Sequence, residues 1–193
     1  MARTAGRTPA RTRQKLLDAA ATVIRKRGTG ATLDDIAAAS GVSKGGLLYH
    51  FSTKDELFQA LASNLFQEFR QAVHAAVEPA DTSPGRLTRA YIRASMDTRG
   101  SQYTLRDELI LTAQLMTYPG IAEIARAESE QWNAELRADG LSEETRALAV
   151  AAADGIASAS IWGDVTSPDE RDRLQQRLLA LTYDPTLWTP PGT

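Results

Sequence analysis

The stretch TLDDIAAASGVSKGGLLYHF, from Thr32 to Phe51, constrains the fold of this chain more than any other part of it. Thr32 predicts a helix N-cap, and Asp35 stands at the third helical position, where a carboxylate suits the positive end of the helix dipole. The helical pattern ends at Gly41, since glycine accepts a left-handed turn without steric cost. Ser43 can then cap a second helix that extends to Phe51. Two short helices joined in this way predict a helix-turn-helix, whose second helix lies in the DNA major groove.

The composition of the second helix separates this interpretation from a helical hairpin that only builds a core. Ala37, Gly41 and Leu47 fit both interpretations, because helix pairs with a glycine turn are common. The exposed face of the second helix carries groups that can bind phosphates and bases. It also carries two glycines, although glycine costs about 1 kcal/mol relative to alanine at a solvated helix position. These exposed positions are Lys44, Gly45, Gly46, Tyr49 and His50.

The segment GVSKGGLLYHFSTKDEL resembles the DNA-binding signature of the TetR family of bacterial repressors, which usually reads G-V-S-x-G-x-L-Y-x-H-F-x-x-K-x-x-L. The resemblance extends from about Thr12 to Leu61. It departs from the pattern at Leu48, where many members have a tyrosine that contacts the DNA backbone. The DNA-binding residues that we predict from the helix face and the resemblance together are Thr32, Ser43, Lys44, Gly45, Gly46, Tyr49, His50 and Lys54.

Composition and helical rhythm predict an all-α protein of about nine helices. The resemblance implies a three-helix, helix-turn-helix DNA-binding domain at residues 1–52. It further implies a helical ligand-binding and dimerisation domain at residues 53–193. A helix from Lys54 to about Val77 would link the two domains, because its capping-box pattern Thr53 to Glu56 opens an apolar stripe of about 25 residues that stops at Pro79.

Charge is distributed unevenly along the chain, although the formal net charge is only −2. Residues 1–54 contain ten lysines and arginines against three acidic residues, whereas the remainder contains twelve against twenty-one. A basic end on an acidic body is typical of a phosphate-binding module joined to a different domain. A disordered basic tail is the alternative for Arg3 to Arg7, but Lys44 and Lys54 lie outside any tail.

Several classes of function find no support in the residues. The chain has two histidines and no cysteine, and no catalytic triad, zinc cluster or phosphate-cradling glycine loop is visible. We therefore predict no enzyme, no catalytic residue, no metal and no cofactor. No apolar run is long enough to span a bilayer and no signal-peptide pattern opens the chain, which predicts a cytoplasmic protein with no membrane partner.

Three helices, predicted at about 84–99, 102–117 and 120–138, carry most of the remaining aromatic residues and methionines. Together with the end of the long helix they fit a cavity for a small lipophilic ligand, and Glu128 in the apolar stripe could pair with a cationic one. Ordinary core packing is the alternative for each residue. The candidate ligand-binding residues are Phe66, Tyr91, Met96, Tyr103, Met116, Glu128 and Trp132.

The last two helices, predicted at about 142–163 and 168–183, combine a run of small residues with a leucine stripe. The resemblance implies that they form a four-helix bundle with the same helices of a second copy. The alternative is that both helices pack only within the monomer. The candidate dimer residues are Ala149, Ala153, Ile156, Ser160, Leu174 and Leu178.

These features together predict a homodimeric transcriptional regulator of the repressor type. It would bind double-stranded palindromic operator DNA and be released by a small lipophilic ligand, for which a cationic group is one option. A DNA-binding architectural or constitutive regulator with no ligand is the alternative. A sealed and fully packed second domain would favour that alternative.

Overall fold

The computed structural model describes residues 8–97, 105–163 and 166–188. Within these ranges the chain forms nine α-helices and three short 3-10 helices, and no strand. No helix there has both the length and the apolar character needed to cross a membrane. The helices of the described residues, with no strand among them, confirm the all-α prediction. The helices are α1 (Pro9–Arg27), α2 (Leu33–Ser40), α3 (Lys44–His50), α4 (Lys54–Ala75), α5 (Arg86–Met96), α6 (Leu105–Met116), α7 (Ile121–Arg137), α8 (Glu143–Ala159) and α9 (Pro168–Tyr183), with 3-10 turns at Gly28–Gly30, Ser160–Trp162 and Pro185–Trp188.

The chain divides into two compact units. The first unit comprises Met1–Leu65 and Ile110–Ala125, and the second comprises Phe66–Leu109 and Arg126–Thr193. The division therefore falls within α4, α6 and α7. The domain boundary that we place after residue 52 stays a prediction.

Local sequence determines the helix-turn-helix of the first unit. Thr32 Oγ1 accepts a hydrogen bond from the Asp35 amide at 3.1 Å, and the Asp35 carboxylate accepts one from the Thr32 amide at 3.0 Å. The Thr32 hydroxyl also donates to Asp35 Oδ2 at 2.7 Å, and the hydrogen bonds from the hydroxyl and the amide of Thr32 lower the pKa of Asp35. Gly41 has φ 62°, which is the left-handed conformation predicted for the turn. Ser43 Oγ then accepts a hydrogen bond from the Gly46 amide and caps α3.

The core of this three-helix region is fully buried and holds α3 in place. Leu16 and Ile24 of α1, Ile36 of α2 and Leu47 of α3 each have no exposed surface, and neither does Phe51. Phe51 is thus a core residue, as expected from its apolar ring. With one side of α3 anchored by Leu47, the opposite side is left open to solvent.

The start of α4 differs from the predicted capping box. Thr53 Oγ1 accepts a hydrogen bond from the Glu56 amide at 3.0 Å, as predicted. The Glu56 carboxylate, however, accepts hydrogen bonds from the amide and hydroxyl of Ser52, both at 2.7 Å. The helix also ends at Ala75 and not at Pro79.

A long-range cap sets the start of α5 in the second unit. The pair Ser83-Pro84 predicts a serine cap with Pro84 as the first helical residue, but the helix begins at Arg86 and Gly85 has φ 89°. The carboxylate of Asp139 accepts hydrogen bonds from the amides of Leu87 and Thr88 at 3.0 and 2.7 Å. A carboxylate about fifty positions away in the chain therefore replaces the local serine cap.

A buried ion pair connects the loop before α5 with the end of α9. The Arg89 side chain is fully buried and donates to both carboxylate oxygens of Asp81, at 2.6 and 2.8 Å. Its guanidinium also lies 4.0 Å from the centre of the Tyr183 ring and donates to Thr182 Oγ1 at 3.3 Å. Hydrogen bonds from Arg89 hold the pKa of Asp81 well below its usual range.

Candidate nucleic-acid interface and aromatic cluster

The exposed side of α3 presents apolar and aromatic surface to solvent. Tyr49 is 81% exposed and Leu48 is 40% exposed. Lys44 is also exposed, with Nζ 2.9 Å from the Asp34 carboxylate. Exposed ion pairs of this kind contribute little to stability. The lysine can therefore exchange the carboxylate for a phosphate or a base edge at small cost.

The two glycines of α3 differ in their surroundings. A Cβ atom added to Gly45 would have no heavy atom within 4 Å, apart from its own chain neighbours. A Cβ atom added to Gly46 would lie 2.9 Å from Val42 Cγ1 and 3.2 Å from Ser43 Oγ. Intramolecular packing therefore explains Gly46. Nothing in the described part of the chain explains Gly45, which keeps the backbone of α3 bare on its open side.

Lys54, which we predict to bind a phosphate, also has partners within its own chain. Its Nζ donates a hydrogen bond to the Thr29 carbonyl at 2.7 Å. The ammonium also lies 5.0 Å from the centre of the Phe58 ring and 5.5 Å from that of Tyr118. Such cation–π contacts add attraction when the ammonium is partly desolvated. Lys54 thus has a structural role at the start of α4 besides the contact that we predict with DNA.

Tyr118, in the turn between α6 and α7, holds the first turn of α4. Its hydroxyl donates to Asp55 Oδ1 at 2.8 Å, and its ring packs against Phe58 with the centres 4.8 Å apart. Burial and the hydrogen bond to Asp55 raise the pKa of Tyr118 to about 12. From sequence, Tyr118-Pro119-Gly120 predicts only a helix break. No local signal there points to a contact more than sixty residues away.

Three aromatic side chains of the second unit form a cluster, which we call the aromatic cluster: Phe69, Tyr91 and Trp132. The ring centres of Tyr91 lie 5.5 Å from Phe69 and 5.8 Å from Trp132, and Phe69 and Trp132 are 6.1 Å apart. The structure thus brings together two of the candidate ligand residues, Tyr91 and Trp132. Phe69 joins them, although its sequence position marks it only as part of the long apolar stripe.

Glu128 is already paired with a cation of its own chain. The Arg70 guanidinium donates to Glu128 Oε2 at 3.0 Å and to Glu135 Oε1 at 2.6 Å. It also lies over the Trp132 ring, 4.4 Å from the centre. This arrangement differs from our prediction, because a carboxylate already paired with Arg70 is not free to pair with a cationic ligand.

The other candidate ligand residues are dispersed. Met96 is 4% exposed and packs in the core of α5, α8 and α9. Met116 is 42% exposed and belongs to the first unit. Phe66 is half-buried on α4. Tyr103 lies outside the described residues.

Asp154 of α8 adjoins the aromatic cluster, a contact that sequence reasoning missed. The Tyr91 hydroxyl donates to Asp154 Oδ1 at 2.7 Å. Burial and the neighbouring carboxylate raise the pKa of Tyr91 above its usual value. Partial burial also raises the pKa of Asp154, although the residue keeps access to solvent. The small residues on either side of Asp154 give no sequence signal for an aromatic partner on α5.

The predicted dimer residues are mostly internal to the chain. Ala149 and Ala153 have no exposed surface and Leu178 has 6%, because they pack with Ile92 and Met96. Fully buried side chains have no surface to offer a second copy, so this placement differs from the prediction. Of the remaining candidates, Ile156 and Leu174 are partly buried against that core, and Ser160 begins a 3-10 turn.

A different face of α8 carries exposed apolar and small residues, and the 3-10 turn that follows α8 ends with an exposed tryptophan. We call these residues together the α8 stripe: Leu148, Ala151, Gly155 and Trp162. Trp162 is 85% exposed and Leu148 is 41% exposed. A Cβ atom at Gly155 would have no heavy atom outside its own helix neighbourhood within 4 Å. A tryptophan with this much exposed surface is unusual for a surface that only meets water.

Comparison with known families matches both parts of the chain. Residues 16–61 match the bacterial regulatory proteins of the tetR family. Residues 85–183 match the C-terminal domain of tetracyclin repressor-like proteins. The second match alone covers just over half of the 193 residues.

Individual relatives are transcriptional regulators. The repressor KstR2 of Rhodococcus jostii is 36% identical over 93 residues, which cover 46% of this chain and 45% of KstR2. This alignment therefore spans less than half of that relative. The regulator BetI of Cronobacter sakazakii is 31% identical over 156 residues, 79% of this chain and 77% of BetI. The crystal structure of the multidrug binding protein EbrR complexed with malachite green is 26% identical, covers 88% of this chain and 97% of EbrR, and gives a TM-score of 0.67.

Proposed function

This chain belongs to the TetR family of bacterial transcriptional regulators, and on that premise we propose that it is a homodimeric repressor. In this proposal it acts in the cytoplasm, binds a palindromic operator through α3, and leaves the operator when a small lipophilic ligand binds. The observation that carries the proposal is the open face of α3, where Gly45 exposes backbone and Tyr49 and Lys44 project into solvent.

The proposed DNA contacts follow from the geometry of α3. Lys44 and the bare backbone at Gly45 meet base edges in the major groove, and Tyr49 donates to a phosphate. Ser43, Gly46 and His50 lie on the same short helix or its cap. In a symmetric dimer the two α3 helices are separated by about one turn of DNA, ~34–36 Å, which predicts a palindromic site.

A second copy of the chain is the proposed partner of the α8 stripe. The stripe consists of apolar and small residues of α8 and of the 3-10 turn after it, and these residues are exposed in the single chain. Burial of an exposed tryptophan against small residues favours association, because large apolar interfaces are characteristic of permanent dimers. In this proposal Ala149, Ala153 and Leu178 support the stripe from within.

We propose that the aromatic cluster forms part of the ligand site. Tyr91 and Trp132 each combine an apolar ring with one polar group, which suits a flat lipophilic molecule. The related protein EbrR has been solved in complex with malachite green. One observation favours the alternative of a regulator with no ligand: Arg70 already stacks on Trp132 and pairs with Glu128.

Selection from random duplex DNA tests the function. The full-length chain is mixed with a random library, and the bound sequences are amplified and read over several rounds. We expect enrichment of a palindrome whose half-sites lie one helical turn apart. Sedimentation of the protein with the enriched duplex should then show two chains for each site. Failure to enrich any sequence would contradict the proposed function.

A further inference from the structure

The charges around the aromatic cluster are unequally neutralised. Glu128 and Glu135 share the Arg70 guanidinium, at 3.0 and 2.6 Å. His74 Nε2 lies 3.9 Å from Glu135 as well. The carboxylates on this side of the cluster therefore have a cation from their own chain.

Asp154, on the Tyr91 side of the cluster, has no such partner. No lysine or arginine in the described part of the chain pairs with it, and its carboxylate accepts one hydrogen bond, from the Tyr91 hydroxyl at 2.7 Å. A carboxylate that is partly desolvated and not neutralised attracts a cation more strongly than one in bulk water. Because the residue keeps exposed surface, a ligand can reach it.

The cluster already accommodates one planar cation. The Arg70 guanidinium lies 4.4 Å from the centre of the Trp132 ring. Aromatic faces attract cations through the ring quadrupole, and more strongly where water is excluded. Tyr91 and Phe69, at 5.5 Å from each other, extend the same aromatic surface toward Asp154.

We propose that Asp154 and the aromatic cluster form the binding site for an aromatic organic cation, with Asp154 and not Glu128 as the counter-charge. This assignment rests on the proposed function of a ligand-responsive regulator and specifies the chemical class of its ligand. The cationic group pairs with the Asp154 carboxylate, and the aromatic part packs on Tyr91 and Phe69. Arg70 retains Glu128 and Glu135 while the ligand is bound.

Dye titration of the DNA-free protein tests the site. Ethidium and malachite green serve as aromatic cations and fluorescein as an aromatic anion, with the change in dye fluorescence or absorbance as the signal. The Asp154→Asn variant keeps the shape of the side chain and an acceptor for the Tyr91 hydroxyl. We expect it to lose about tenfold or more in affinity for both cations and none for fluorescein.

A matched charge control separates a local contact from general electrostatics. Glu144→Gln removes one negative charge from an exposed position on the same helix, so we expect unchanged affinity for the cations. Equal losses in Asp154→Asn and Glu144→Gln would overturn the assignment. So would cation affinity within twofold of wild type in Asp154→Asn, or a wild-type protein that binds neither cation up to the solubility limit of the dye.

The result of the dye titration does not depend on whether the protein binds DNA. A protein that binds the cations through Asp154 but enriches no duplex sequence refutes the regulator and leaves the site standing. A protein that enriches a palindrome but shows no loss in Asp154→Asn refutes the site and leaves the regulator standing.

Discussion

Gly45→Ala should make the protein more stable and a weaker DNA binder. Gly45 is helical and exposed, and a Cβ atom there would meet nothing within 4 Å. Replacing an exposed helical glycine by alanine stabilises a helix by up to about 1 kcal/mol. In urea unfolding we therefore expect a higher midpoint with an unchanged slope.

The same methyl group should obstruct DNA. If the α3 backbone approaches base edges at Gly45, a Cβ atom occupies space that the complex needs. We expect at least a tenfold loss of affinity for the selected operator, measured by fluorescence anisotropy at fixed salt because phosphate contacts make affinity salt-dependent. Opposite changes in stability and binding identify a functional position, since general damage would lower both.

Gly46→Ala is the matched control on the same helix. Its Cβ atom would lie 2.9 Å from Val42 Cγ1, so we expect a smaller gain in stability than Gly45→Ala gives, or a loss. For the same reason Gly46→Glu should lower stability as well as DNA binding. Wild-type operator affinity in Gly45→Ala would refute the close approach of α3 to DNA.

Three further changes test other parts of the structure. Arg89→Met leaves Asp81 buried without its cation, so we expect a loss of about 3–5 kcal/mol in urea unfolding; wild-type stability would contradict this. Because the pKa of Asp81 is lowered on folding, the stability that its carboxylate contributes is present above about pH 3.8 and is lost as the pH falls below that. This acid-dependent loss of stability should be smaller in Arg89→Met, because hydrogen bonds from Arg89 are the largest cause of the lowered pKa. Lys54→Met should weaken binding to operator and random DNA alike and reduce the salt slope by about one unit; an unchanged slope would exclude a phosphate contact. Trp162→Ser should shift sedimentation from dimer to monomer if the α8 stripe binds a second copy, whereas an unchanged dimer would exclude it.

Sequence predicted those elements whose causes are local. Thr32 and Asp35 form their capping box, and Gly41 adopts its left-handed turn, because each depends on residues within a few positions. The same reasoning fails at Pro84, where Asp139 caps α5 from the turn after α7. A tertiary partner of this kind leaves no trace in the local pattern.

Helix faces were harder to assign from sequence. In α8 small residues occur all round the helix, so periodicity does not distinguish the buried Ala149 and Ala153 from the exposed Ala151 and Gly155. The ion pair of Glu128 could not be predicted from sequence for another reason. Its cation, Arg70, is 58 positions away, and no pattern in either segment predicts the pair.

The candidate DNA interface was the part of the site that could best be predicted from sequence, because α3 and its turn are contiguous in the chain. The distinction between Gly45 and Gly46 required coordinates, since it depends on the position of Val42. The aromatic cluster combines α4, α5 and α7, and Asp154 adds α8. Side chains from four helices meet there through tertiary contacts, which no local sequence pattern indicates.

Photocross-linking at Tyr49 tests whether the exposed face of α3 contacts DNA. A benzophenone amino acid placed at position 49 projects from the 81% exposed site, and the same group at Glu144 of α8 is the control. With labelled operator duplex we expect a cross-link from position 49 that excess unlabelled operator suppresses, and none from position 144. Absence of a cross-link at position 49, in a protein that still binds the operator, would contradict the proposed contact between α3 and DNA.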